Sequence, residues 1–359
     1  MAAARSRRTQ AAKAEYIQGS AARQLTAPER DVRREKKIRE RSLSHTVTVR
    51  RNRERALQMD LPFVIGLTIA AICALYLCIS YLNLQSSVAA RLANIESLER
   101  QIQAVLSEGK LKPRVVVAVD FLGNPCDYDA IAAICDKYGL TLLEDAAQSM
   151  GASYKGKMCC SFGTISTTSF FPAKTLGCYG DGGAIFTDND ALADLLRSIC
   201  VHGKGPGGKY DNIRVGVNSR LDNLQAAILL PKLEALAEYE IRDREAAAGR
   251  YGAAFAGKLI LPPVPAHGQH SWYQYTLLAA DTAQRERLIA HLKERGIPTN
   301  LYYPTPMHAL PVFRALETYG ETYPNAVEYC DRTISIPMHP YLEATEQQQI
   351  IDAVLEAVR

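Results

Sequence analysis

Residues 114–148, RVVVAVDFLGNPCDYDAIAAICDKYGLTLLEDAAQ, decide the fold. Arg114 to Asp120 is a valine-rich run of buried-strand character, Asp127 to Tyr138 repeats its apolar residues at helical spacing, and Leu140 to Glu144 is a second strand run. A strand, a helix and a strand in such quick succession predict parallel pairing, with ligands bound beyond the carboxyl ends of the strands. The alternation continues downstream. Thr164 to Phe170 and Gly183 to Thr187 read as strands, Ala191 to Cys200 and Asp222 to Tyr251 as helices, and an interruption is expected near Pro231. From Pro262 onward a strand over Gln274 to Ala279, a helix over Ala283 to Arg295 and a carboxyl-terminal helix predict a smaller α/β lobe.

Two residues in this frame carry chemistry. Asp145 closes the second strand, so its carboxylate emerges at the ligand end of the sheet; the plain alternative is a strand-end aspartate capping a neighbouring helix. Lys174 sits in Ser169-Phe-Phe-Pro-Ala-Lys-Thr-Leu-Gly-Cys-Tyr-Gly-Asp-Gly-Gly183, a loop where partial burial would give an amine the lowered pKa of a nucleophile; a solvated loop lysine is its alternative. An aldehyde cofactor needs both groups, the amine to hold it as a Schiff base and the carboxylate to keep its ring nitrogen protonated and the ring an electron sink. Together they read as a pyridoxal 5'-phosphate site. No metal-ligand spacing accompanies it, and the nine cysteines follow neither a metal pattern nor a disulfide scaffold, which suits reduced core thiols.

Val119 to Asp127, Glu144 to Gln148, Ser169 to Gly183 and Gly216-Val-Asn-Ser-Arg-Leu-Asp-Asn-Leu-Gln-Ala226 occur in this order. From about residue 113 to 359 the chain resembles the DegT/DnrJ/StrS-type sugar aminotransferases, of the fold-type I pyridoxal phosphate superfamily. The resemblance implies that Lys174 is the Schiff-base lysine and proton shuttle, Asp145 the partner of the pyridine nitrogen, Gln148 a contact near the ring and Ser169 a donor to the cofactor phosphate. It places Asn218 at the phosphate of a neighbouring subunit in a homodimer, and Arg220, Tyr303 and His308 near the substrate. The implied reaction moves nitrogen from a glutamate-type donor to a keto group on a nucleotide-linked sugar. Two departures stand out: Tyr273 replaces a histidine usual in the family, and the family's amino-terminal 100 or so residues, with their phosphate-binding turn, have no counterpart. A truncated fold-type I large domain over 114–260 and a small domain over 261–359 are therefore expected, with exposed sheet edge, weak cofactor affinity and impaired activity.

The amino-terminal part has a different character. Residues 1–60 carry 16 Lys/Arg against 7 Asp/Glu and few large apolar side chains, which predicts a basic, mostly disordered tail. Without aromatic interleaving the charge does not point to nucleic acid. Residues 61–82 contain no charged side chain and are long enough to cross a bilayer, so a single-pass membrane protein with a cytoplasmic amino terminus is expected, placing the catalytic part outside, away from its cofactor and substrates. Over 83–108 apolar residues, among them Leu84, Val88, Ile95, Leu98, Ile102 and Val105, fall on a seven-residue repeat, read as a short juxtamembrane coiled coil; 109–113 is a linker. This layout resembles the bitopic FtsL-type division proteins. Two alternatives to a working aminotransferase follow: a non-catalytic division or scaffold protein, and a fusion of two unrelated genes near 107–113. Gly203-Lys-Gly-Pro-Gly-Gly-Lys209 imitates a P-loop, but Tyr210 stands where Ser or Thr is required and no strand precedes it.

Overall fold

The computed structural model describes residue 69 and residues 95–265, 267–313 and 323–359. The basic tail lies outside the described residues, as does the 61–82 segment apart from Ile69. The expected single-pass membrane localisation is corrected: no helix among the described residues is long and apolar enough to cross a membrane.

A helix, α1, covers 95–108, with Ile102 buried and Ile95, Leu98 and Val105 half-buried on one face. Its partner is the chain itself. Glu99 accepts a 2.9 Å hydrogen bond from the Tyr138 hydroxyl and pairs with Lys137, while Gln103 Nε2 donates to the same hydroxyl at 2.9 Å. Lys137 and Tyr138 belong to α2, Tyr128–Tyr138. The helix read as a coiled-coil strand is thus tied to an intramolecular neighbour through Glu99 and Gln103, because a seven-residue repeat fixes which face is apolar and not what the helix meets.

α2 begins at Asp127, whose side chain accepts from Ala130 N, and ends at Gly139 in the left-handed conformation at φ 64°. It joins β1, Val115–Val119, to β2, Thr141–Asp145, which pair in parallel from Val115 opposite Thr141 to Val119 opposite Asp145. After a small antiparallel hairpin of β3, Ser153–Tyr154, and β4, Lys157–Met158, β5, Ile165–Ser169, adds in parallel to β2 and β6, Gly183–Phe186, adds antiparallel to β5. The sheet order is β1-β2-β5-β6.

Strand alternation splits this sheet into two unlike faces. Ala118 and Leu142 point to one side and pack with Tyr128 and Cys135 of α2 and with Tyr154. On the other side Val115, Val117, Val119 and Ile185 remain between 44% and 55% exposed. Asp145, at the carboxyl end of β2, and its neighbour Thr167, midway along β5, stand on this second, open face.

Helix α3, Asp190–Cys200, precedes a glycine-rich loop in which Gly207 N donates to the Asp211 carboxylate at 2.6 Å and Gly205 N to the Asp211 carbonyl at 2.6 Å. The P-loop imitation is therefore closed by its own acid. Next, α4, Asn223–Ala235, continues through a π turn, Leu236–Glu240, into α5, Ile241–Phe255. The expected break at Pro231 is absent. A proline removes one N–H and hence one helical hydrogen bond, and here the helix carries on past it and changes register five residues later.

The carboxyl-terminal core forms around β8, Tyr275–Leu278, paired antiparallel with β9, Thr333–Ile336. A two-residue strand β7, Gly268–Gln269, extends the hairpin sheet before it. Helix α6, Thr282–Glu294, supplies Leu288 and Leu292; α5 supplies Tyr251 and Phe255; α8, Ala344–Ala357, supplies Ile350, Ile351 and Val354. The short α7, Pro324–Arg332, leads into β9. All seven cysteines among the described residues are free, five of them buried.

Candidate active site

β2 and the β5–β6 loop bring the two reactive groups together. Asp145 Oδ1 accepts a 3.1 Å hydrogen bond from Ala147 N, which fixes the carboxylate at the strand end without a helix to cap. The Lys174 backbone is held by a 2.9 Å bond from its N–H to the Phe171 carbonyl, and its side chain is half-buried. Burial lowers the pKa of its ammonium, and the Asp145 charge works in the opposite direction. The amine is thus easier to deprotonate than a solvated lysine while it remains in the field of the carboxylate.

The loop after β1 builds the opposite wall. Gln148 Oε1 accepts from Leu122 N at 2.5 Å, and its Nε2 donates to the Tyr303 hydroxyl at 3.3 Å. Tyr303 also approaches Phe121, with ring centroids 6.2 Å apart. Gly123 has φ 97°, and a Cβ there would lie 2.1 Å from Ser271 Oγ; only glycine allows this close approach. Ser271 uses it fully: its N–H donates to the Gly123 carbonyl at 3.0 Å and its hydroxyl to the Gln148 carbonyl at 2.9 Å. The next residues deliver Tyr273, whose ring centroid lies 5.0 Å from Lys174 Nζ.

His270 anchors the same segment. It accepts from Trp272 N at Nδ1 (2.8 Å) and stacks on the Trp272 ring at 4.1 Å, and burial pulls its pKa down to about 3 from 6.5. The unfolded chain takes up a proton below 6.5 that the folded one refuses until about 3, so stability is complete above that window and is lost as the pH falls through it. The expected slope reaches about 1.4 kcal/mol per pH unit. Urea midpoints across this pH range check it: a His270→Asn variant should show a flatter profile.

The other sequence-predicted residues divide among three places. Ser169 follows Asp145 and Thr167 on the open face, and its hydroxyl accepts from Phe171 N at 3.2 Å. Asn218 and Arg220 are exposed and bonded to each other, with Arg220 Nη2 donating to Asn218 Oδ1 at 2.9 Å. They line a cavity of about 1330 Å³ together with Thr167, Gly183 and Ile185. His308 lies apart from both, in a cavity of about 700 Å³ shared with Asp281, Tyr323 and Arg332. The structure therefore joins Asp145, Gln148, Lys174 and Tyr303 around Tyr273, and does not bring His308 to them. Phe121, Gly123 and Ser271 escaped sequence reasoning; the only signal was the place of Phe121 and Gly123 in the quoted stretch and of Ser271 two residues before Tyr273.

Asp120, Glu144 and Cys159 cluster beneath the sheet, yet they form a structural network. Asp120 accepts from Cys126 N, Tyr128 Oη and Ser149 Oγ at 2.6–2.9 Å, and Glu144 from Cys160 N and Phe162 N at 2.7 and 2.8 Å. Those N–H groups oppose the rise in the Glu144 pKa that burial causes.

Comparison with known proteins fits this geometry. The model of the DegT/DnrJ/EryC1/StrS aminotransferase family matches residues 84–355. UDP-2-acetamido-2-deoxy-3-oxo-D-glucuronate aminotransferase of Pseudomonas aeruginosa is 46% identical over 253 residues, 70% of this chain and 68% of that protein. The crystal structure of a DegT/DnrJ/EryC1/StrS aminotransferase from Brucella abortus is 42% identical with a TM-score of 0.70, covering 73% of this chain and 69% of that one. Bacillus subtilis NtdA with bound pyridoxamine phosphate is 28% identical with a TM-score of 0.62, covering 70% of this chain and 58% of that one. The match spans 84–355, beginning inside the segment assigned to an FtsL-type layout and extending across 107–113. Neither that layout nor a gene junction at this point is supported.

Proposed function

The chain belongs to the DegT/DnrJ/EryC1/StrS aminotransferase family, and from that premise we propose that Lys174 and Asp145 are the two ends of its cofactor site. It is a pyridoxal phosphate-dependent aminotransferase of nucleotide-linked keto sugars. The observation that carries the site assignment is the half-buried Lys174 amine in the field of Asp145, on a sheet face left open beside them. These groups suit the cofactor: a nucleophilic amine for its aldehyde and an anionic partner for its ring nitrogen.

When bound, the cofactor supplies an electron sink that makes the Cα proton of an amino acid removable. The chain supplies the rest. Lys174 would hold the aldehyde carbon and, as a free amine, would move the proton between Cα of the donor and C4′ and in reverse on the sugar side, work typically worth about 10² to 10⁴ in rate. Asp145 keeps the ring nitrogen protonated. Gln148, steadied by Leu122 N and bonded to the Tyr303 hydroxyl, would contact the ring, and Tyr303 would border the substrate. Ser169, two residues beyond Thr167, would meet the phosphate. The exposure of Asn218 and Arg220 supports a role across a homodimer interface. For His308 the present position argues against direct substrate contact, since it lines a separate cavity.

Glutamate serves as amino donor in this reading, and a 3-keto sugar is the favoured acceptor, given the 46% identical relative. A division between large and small domains near 260 also fits, although the carboxyl-terminal core draws Ala248, Tyr251 and Phe255 from before it. The direct test is chemical. Incubating the protein with pyridoxal 5'-phosphate, reducing with borohydride and mapping the peptides should place a pyridoxyl group on Lys174. Label scattered over exposed lysines, with Lys174 unmodified, overturns the assignment.

A further inference from the structure

Resting on the assignment of Lys174 above, we propose that Tyr273 is a positioning residue for it, the face of its ring holding the side-chain nitrogen in place opposite Asp145. The distance of 5.0 Å from Nζ to the ring centroid is within the range of a cation–π contact. Among the described residues Lys174 Nζ donates no hydrogen bond and forms no ion pair, so the Tyr273 ring and the field of Asp145 are what act on it.

The ring is well placed to act as a support. Tyr273 is 8% exposed. The residues before it are tied down by the two Ser271 bonds, by Trp272 N to His270 Nδ1, and by Arg244 Nη1 to the Trp272 carbonyl at 3.0 Å. Trp272 Nε1 adds a 2.6 Å bond to Glu245. These tethers reach α5, the β1 loop and the Gln148 turn, so Tyr273 is clamped from three elements. The charged and titratable groups around the pair are Asp145 on the lysine side and Tyr302, Tyr303 and Arg244 on the tyrosine side.

The consequence concerns the moments when the Lys174 nitrogen is free. Its protonated form is disfavoured by burial, and a π face offsets part of that penalty without a hydrogen bond that would have to be broken when the nitrogen moves. A carboxylate at the same place would hold the nitrogen more tightly and retain its proton. A ring therefore guides the amine and leaves it able to give the proton up.

The experiment uses the full chain without added cofactor: lysines are reductively ¹³C-methylated, and the Lys174 signal, identified by its loss in Lys174→Arg, is titrated by NMR. A cation–π contact worth about 0.5–2 kcal/mol corresponds to about 0.4–1.5 pH units in the midpoint. Tyr273→Phe keeps the face and should leave the midpoint in place. Tyr273→Leu should lower it by that amount, and Tyr273→Met, which keeps bulk without a π face, should do the same should the leucine variant fold poorly. Equal midpoints in all three variants, or an equal change in Tyr273→Phe, overturn the proposal. The pyridoxyl map separates the two levels: label that misses Lys174 removes the site assignment, whereas label on Lys174 with an unmoved midpoint removes only the role of Tyr273.

Discussion

Lys174→Ala is expected to lower the rate of amino transfer by at least about 10⁴-fold. On the proposed assignment the substitution removes both the nucleophile for the aldehyde and the base for the proton, two functions that no neighbouring side chain duplicates: Asp145 is assigned to the ring nitrogen, and Gln148 and Tyr303 are bonded to each other. Lys174→Arg should be as damaging, since it restores charge without a usable nucleophile. Single-turnover reaction with glutamate measures the loss, and a residual rate above about one-hundredth of the original would show that another group moves the proton. The pH dependence has a definite sign. Burial sets the Lys174 pKa below that of a free lysine, so the rate of the proton-transfer step should rise with pH through a midpoint lower than a solvated amine would give. Folding should not suffer, because alanine removes an ammonium that burial disfavours.

The second large effect is on stability. Phe255, at the end of α5, is fully buried, stacked on Tyr251 at 5.7 Å, and belongs to a core with Tyr275, Leu288, Leu292 and Val354. Phe255→Ala should cost about 3–5 kcal/mol, from lost transfer energy and the cavity left behind. That is a large share of the stability of an ordinary domain. Urea unfolding followed by tryptophan fluorescence is a direct measurement, because the single tryptophan, Trp272, sits in the same core. A loss below about 1 kcal/mol would mean that the surrounding side chains close the gap.

Much of this architecture was legible in the residues. Val115 to Val119 and Thr141 to Asp145 lie within a residue or so of their predicted bounds, because short β-branched runs between turn signals have few other uses. The Asp145–Lys174 pair was legible for a related reason: strand ends and the loops beyond them converge at one edge of a parallel sheet. Other features depend on contacts that no local pattern encodes. The stripe of α1 announced a buried face but not that Tyr138 and Lys137 would cover its edge. Strand β9 follows α7 directly and was missed, since Thr333-Ile-Ser-Ile336 is too short to separate from the end of a helix. Pro231 suggested a break that one lost hydrogen bond did not impose. Tyr273 was readable only as a departure from a pattern; its ring under Lys174 needed the fold of Gly123 against Ser271.

The uninterrupted run from Asn223 to Phe255, roughly 50 Å at 1.5 Å per residue, has a mechanical side. Near one end Leu229 and Leu236 seat the Lys174 loop through Leu176 and Cys178, and Lys232 grips the Gly177 carbonyl. At the other end Tyr251 and Phe255 are embedded among β8, β9 and α8. A continuous helix couples its two ends like a lever, and the one irregular stretch, the π turn from Leu236 to Glu240, is where that coupling would yield.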